Sequence, residues 1–113
     1  MANDCLFCRI VKKEIPATIV AENPHCMAFR DINPQAPTHV LVIPRQHIVS
    51  LNEAKDPTVI GQMHLMACQI ARAEGLSERG YRVVINTNAD AGQTVFHIHL
   101  HLLGGRRFTW PPG

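Results

Sequence analysis

His97-Ile98-His99-Leu100-His101-Leu102-Leu103 alternates polar and apolar residues without a break. That period of two is the mark of a β-strand, where successive side chains point to opposite faces. The three imidazoles line one face, and Ile98, Leu100 and Leu102 enter a core. Extended backbone rises about 3.3 Å per residue, which puts His97 and His101 about 13 Å apart. Zinc–nitrogen bonds are about 2 Å long, so the spacing opposes one ion holding all three rings. It points instead to three separate tasks. A lone strand histidine is usually a surface or hydrogen-bonded residue. Three in alternation carry a desolvation cost unless each finds a partner, and such clusters mark functional sites.

Outward from this stretch, Ala91 to Thr94 reads as a turn and Val95 to Leu103 as the last strand, broken by Gly104-Gly105. Tyr81 to Thr87 reads as the strand before it. Residues 57–74 read as a long helix. Asp56 is its N-cap, Pro57 suits its first position, and Gly75 is its left-handed stop. Val59, Ile60, Met63, Met66, Ala67, Ile70 and Ala71 recur at helical spacing. Thr38 to Ile43 is β-branched and apolar, hence a strand closed by Pro44, and 33–37 is a rigid loop. Thr18 to Glu22 and Cys26 to Asp31 are two strands about an Asn23-Pro24 turn. Residues 5–13 read as a short helix burying Leu6, Phe7 and Ile10, ended at Ile15-Pro16. Short links between strands favour antiparallel pairing. The class is α+β: a mostly antiparallel five-stranded sheet with one long helix and a short N-terminal one. Residues 1–113 are expected to form one domain with a tail over 104–113.

Composition narrows the function. The chain has 113 residues, 46% hydrophobic and 18% charged, which excludes disordered, collagen-like and coiled-coil classes. Eleven Lys and Arg against nine Asp and Glu leave a formal charge of +2, too little to argue for nucleic acid or an acidic membrane. No apolar run approaches the roughly 18 residues of a membrane span. Met1-Ala2-Asn3-Asp4 lacks the features of a signal peptide, so a reducing, cytoplasmic compartment is expected. The four cysteines, Cys5, Cys8, Cys26 and Cys68, are then thiols. Cys26 and Cys68 read as buried. Cys5-Leu6-Phe7-Cys8 suits a redox pair or half of a zinc site, and zinc is the better reading because no strand precedes it.

A neutral imidazole whose second nitrogen donates to a carbonyl is a competent nucleophile toward phosphorus. Phosphoryl chemistry also needs donors for the anionic oxygens. Gly92, Gln93 and Thr94 could aim N–H groups at a phosphate, and Asn86 could add an amide. Each also has a plain reading as a turn or a cap.

The seven-residue stretch resembles the signature of the histidine triad (HIT) family, and the resemblance spans nearly the whole chain. Lys13-Glu14-Ile15-Pro16, Ala28-Phe29-Arg30-Asp31-Ile32, Pro34-Gln35-Ala36-Pro37-Thr38-His39, Gly92-Gln93 and the tail from Gly104 to Trp110-Pro111-Pro112-Gly113 resemble its Hint branch. The resemblance implies a homodimeric hydrolase or transferase acting on purine nucleoside phosphoramidates. It implies His99 as nucleophile, His101 on the phosphate and the departing amine, and His97 and His39 in support. Asp31, with Ile32 beside it, is implied for the ribose, and Phe7, Ile10 and Phe29 for the base. Asn86, Gly92, Gln93, Thr94 and Val95 are implied for the phosphate side. Trp110 would reach the partner's site. Thr94 stands where many relatives carry Ser, which touches the preferred amine rather than the chemistry. Some relatives resemble a structural zinc pattern that here falls on Cys5, Cys8, His47 and His97. His25 and His64 read as structural. Three other readings remain open: a dinucleoside polyphosphate hydrolase, a nucleotide-binding regulatory subunit and a metal buffer.

Overall fold

A computed structural model describes residues 4–113; the start of the chain, Met1 to Asn3, lies outside the described residues, and with it most of the signal-peptide reading. The elements are helix α1 (Leu6–Val11), strands β1 (Ile19–Glu22), β2 (Cys26–Arg30) and β3 (Thr38–Pro44), helix α2 (Pro57–Ala73), strand β4 (Tyr81–Val84), helix α3 (Asn88–Ala91) and strand β5 (Leu100–Gly104). A 3-10 turn at Leu51–Glu53 precedes α2. The five strands form one antiparallel sheet in the order β1-β2-β3-β5-β4.

The sheet carries a helix on each face, and strand alternation sorts the side chains between them. Cys26, Ala28, Val40, Val42, Leu100 and Leu102 face α2, packing on Val59, Met63, Met66, Ala67, Ile70 and Ala71. Met27, Phe29, Leu41 and Ile43 face α1, packing on Phe7 and Ile10. Central β3 is therefore buried along its whole length. His39 shares parity with Leu41, and His101 pairs with Leu41 across the ladder. Both rings thus lie on the α1 side.

α2 forms as its sequence reads. Asp56 caps it by accepting from the Thr58 N–H at 2.9 Å, Pro57 opens it, and Gly75 follows at φ 77°. Five expectations need correction. The last strand begins at Leu100, not Val95, because Val42 is its last partner on β3 and Pro44 has no N–H to extend the ladder. β4 ends at Val84 rather than Thr87: its last partner on β5 is His101, and the chain beyond turns into α3. α1 stops at Val11; Lys13, at φ 61°, turns the chain before Ile15-Pro16 is reached. Leu6 is 44% exposed, leaving Phe7, Cys8 and Ile10 as the buried face of α1. Cys68 is also half-buried, whereas Cys26 is fully enclosed.

Met63 is wholly buried between α2 and the sheet. Met63→Ala is expected to cost about 2–5 kcal/mol, read as a lower urea midpoint with an unchanged slope.

Candidate active site

The segment 97–99 lies just before β5 and outside the ladder, yet it keeps the alternation: Ile98 joins the α2-side core while His97 and His99 both stand edge-on to Phe7 of α1. The Ile98 N–H donates to the Ile48 carbonyl at 2.6 Å, which tethers the segment to the chain after β3. On that face the three histidines meet different partners. His97 turns inward to Cys5, Cys8 and His47; His99 and His101 reach a cleft on the α1 side. The ring centroids of His99 and His101 are 5.0 Å apart.

Hydrogen-bond partners fix the proton on each ring. A carbonyl can only accept, so a ring nitrogen bonded to one carries hydrogen. His97 Nε2–H donates to the Pro44 carbonyl at 2.8 Å, which leaves Nδ1 with a lone pair facing the two sulfurs. His99 Nδ1–H donates to the His97 carbonyl at 2.8 Å, which leaves its Nε2 lone pair free. The Gln35 backbone N–H donates to His39 Nδ1 at 3.0 Å, so neutral His39 carries its proton on Nε2. That Nε2–H donates to His101 Nδ1 at 3.0 Å, with Asp31 Oδ2 on its flank at 3.4 Å. Neutral His101 must then hold its own proton on Nε2, the nitrogen left for the cleft. The cleft therefore meets one lone pair, on His99, and one N–H, on His101.

Electrostatics keep the supporting rings neutral. Burial pushes His101 down to about 4, helped by His99 and His39, and burial pushes His97 to about 4 as well. His39 is lowered chiefly by burial, with Asp31 acting against it.

The cleft holds about 300 Å3. Of the residues expected at a site, Phe7, Ile10, Phe29, Asp31, Ile32, Thr94, Val95, His99 and His101 line it. Phe7 stands edge-on to His99 with centroids 5.1 Å apart and edge-on to Phe29 at 5.5 Å. Asp31 has two engagements: Oδ1 accepts the Asn33 N–H at 2.8 Å, and Oδ2 faces His39. Ile32 is fully exposed at the rim. Asn86, Gly92, Gln93 and Trp110 lie outside this cleft. The Gln93 amide is buried and committed: its nitrogen donates to the Val49 and Val95 carbonyls and its oxygen accepts the Asn88 N–H. Gly92, at φ 84°, ends α3. Trp110 is 81% exposed. The sequence reading passed over Leu6, Ile15, Pro16, Ala17 and Leu41 as cleft walls. Their only signal was apolar character, ahead of β1 or, for Leu41, within β3. His25 is exposed, and His64 Nδ1 donates to the Ile60 carbonyl on the helix surface.

A second cluster joins Cys5, Cys8, His47 and His97, whose ligand atoms lie within 4.8 Å of one another. Cys8 Sγ is 3.2 Å from His47 Nδ1 and 3.6 Å from His97 Nδ1; Cys5 Sγ is 3.4 Å from His97 Nδ1. A tetrahedral ion with bonds of about 2.3 Å to sulfur and 2.0 Å to nitrogen separates those atoms by about 3.5 Å. The observed spacings bracket that value, and the His97 lone pair already faces the centre, so the donor set fits zinc. Burial pushes the Cys8 thiol up to about 11 without a cation, so an ion must displace its proton.

Comparison with known proteins agrees with this arrangement. The HIT domain family model matches residues 12–108, and the chain belongs to that family. Within it the similarity runs to the Hint branch: the chain is 48% identical over 108 residues to the purine nucleoside phosphoramidase of Escherichia coli, covering 94% of this chain and 91% of that protein. It is 50% identical over 112 residues to the 14 kDa zinc-binding protein of Zea mays, covering 96% and 87%. A HIT family hydrolase from Legionella pneumophila superposes with a TM-score of 0.94 at 56% identity, over 96% of this chain and 99% of that one.

The neutral His101 ring gives a pH prediction. Its folded-state value, about 4, lies below the ordinary histidine value of 6.5, so the unfolded chain binds more protons between the two. Stability is then full above about 6.5 and falls progressively as pH drops toward 4. Thermal melts across that window should show a falling Tm, and a His101→Gln variant should lose less over the same range.

Proposed function

We propose that the protein hydrolyses the P–N bond of purine nucleoside phosphoramidates through a nucleotidyl-histidine on His99. The observation that carries this reading is the His99 ring: Nδ1–H is spent on the His97 carbonyl, and Nε2 meets the cleft as a lone pair. The similarity to a purine nucleoside phosphoramidase supports the substrate class.

The purine lies against Phe7, Ile10 and Phe29, whose apolar walls suit a flat ring. Asp31 takes the ribose hydroxyls beside Ile32. The Thr94 hydroxyl and the His101 N–H meet the phosphate oxygens, and Val95 closes the wall between base and phosphate. Gln93 acts behind them by holding the Val49 and Val95 carbonyls in place, and Gly92 and Asn86 shape the approach to that turn. His99 Nε2 attacks phosphorus, the Nε2–P bond forms, and the P–N pair leaves with the amine, whose nitrogen takes up one proton. Water then adds to phosphorus, the Nε2–P bond breaks, and one proton is released. His101 stands where both protons pass, and His39 orients it.

Zinc on Cys5, Cys8, His47 and His97 would act as a structural clamp. It would supply no step of the reaction; it would fix the His97 ring and the carbonyl that holds His99. A homodimer completes the reading. β4 is an edge strand with Tyr81 and Val83 exposed, and Leu65 of α2 is exposed as well. Pairing there would cover them and bring Trp110 toward the partner's cleft. Among the described residues no helix is long and apolar enough to cross a membrane, and a cytoplasmic setting suits free thiols.

His99→Ala should abolish turnover of an adenosine phosphoramidate and any trapped nucleotidyl-enzyme while AMP still binds. Wild-type turnover in that variant would overturn the mechanism, and faster cleavage of a diadenosine polyphosphate by the native protein would overturn the substrate. For zinc, untagged protein should carry about one ion per chain, the stoichiometry of a closed site. Cys8→Ser should lose the ion and lower the Tm; metal-free native protein would sink the assignment.

A further inference from the structure

The turn after β5 is bound to the loop that holds His39. Arg106 Nε–H donates to the Gln35 carbonyl at 3.0 Å, and its Nη1 donates to the Arg107 carbonyl at 3.0 Å. Its guanidinium lies 4.3 Å from the Phe108 ring centroid. A planar group held by two donor contacts and a ring face has one orientation, which a surface arginine ordinarily lacks. Gly105 permits the approach. A side chain there would place its Cβ 2.8 Å from the Pro37 Cβ, and its φ of 92° is glycine territory. The turn therefore lies directly on the 33–37 loop.

Gln35 is gripped at both of its peptide groups. Its carbonyl accepts from Arg106, and its N–H donates to His39 Nδ1. Its side-chain amide closes on the Asn33 carbonyl at 3.0 Å, which leaves the loop little freedom. Rotating the Gln35 backbone would break both backbone contacts together.

We propose that Arg106 is a positioning residue for the His39–His101 pair, acting through the two peptide groups of Gln35. This rests on the reading of His101 given above. The consequence of losing it follows from proton positions. If the Gln35 N–H swings away, His39 Nδ1 loses its donor and His39 can carry hydrogen there instead. His39 Nε2 then becomes an acceptor, and His101 Nδ1 must donate to it. Neutral His101 would present a lone pair to the cleft in place of an N–H. One tautomer change at His39 thus reverses the polarity offered to the phosphate.

The test uses the full chain with Arg106→Met, and with Arg106→Lys, which keeps the charge but has no Nε–H. Nitrogen-15 spectra of the histidine rings should show His39 as a single Nε2–H tautomer in the native protein and as a mixture in both variants. Their kcat for an adenosine phosphoramidate should fall about tenfold, the scale of a displaced catalytic group, with KM for the nucleotide within twofold. A merely structural role would move the Tm without moving the tautomer. A native His39 pattern in both variants overturns the proposal, and so does native kcat alongside an altered pattern. A native-like Arg106→Lys overturns the directional role of Nε–H. If Arg106→Met fails to fold, Arg106→Lys carries the same readouts. If the native protein does not cleave the phosphoramidate, the nucleotide reading fails, and the His39 spectrum still decides the relay.

Discussion

The His97 ring is the constraint on which the site depends. It is fully buried, and every polar group of the residue on its inner side is spoken for. Nε2–H is bonded to the Pro44 carbonyl, Nδ1 faces Cys5 and Cys8, and the backbone carbonyl accepts from His99. A buried imidazole with an unpaired nitrogen would be costly, so the packing admits one ring orientation and one tautomer. That orientation joins three segments: α1 through the cysteines, the end of β3 through Pro44, and the entry to β5 through His99. Removing any partner would leave a buried polar atom exposed to apolar surroundings.

Pro44 makes this junction possible. As the last residue of β3 it has no N–H to offer β5, so the ladder must stop at Val42 and Leu100. Its carbonyl is left without a strand partner, and a buried carbonyl needs one. His97 supplies it. Residues 97–99 keep the strand's alternation beyond the ladder: Ile98 packs into the α2-side core, while His97 and His99 both meet Phe7 on the α1 side. What separates their duties is position along that face: His97 lies against Cys5, Cys8 and His47, and His99 lines the cleft.

This explains how much could be read from the sequence. α2 was legible because its determinants are local: Asp56 and Pro57 at one end, Gly75 at the other, and a 3.6-residue apolar period between. β3 was legible as an apolar, β-branched run. The start of β5 was not, because it is set by where β3 can no longer pair. The identities of the site histidines could be read from the alternating pattern and the family resemblance. Their tautomers could not, since these depend on Pro44, 53 positions from His97, and on the backbone of Gln35. Gln93 shows the opposite case: it reads as a turn residue offering its backbone N–H, while its side-chain amide ties Val49, Val95 and Asn88 together. No local signal reports on a carbonyl 44 residues away.

The two relays that end at the cleft are built alike but deliver opposite groups. One runs from the cysteine cluster through His97 and ends in the His99 lone pair. The other runs from Gln35 through His39 and ends in the His101 N–H. Each passes through a ring that burial keeps neutral. Two imidazoles whose centroids are only 5.0 Å apart would otherwise be free to exchange roles. Fixed tautomers prevent that exchange, so the cleft distinguishes a lone-pair side from an N–H side. The asymmetry comes from the parts of the fold behind the histidines, because the two side chains are chemically identical.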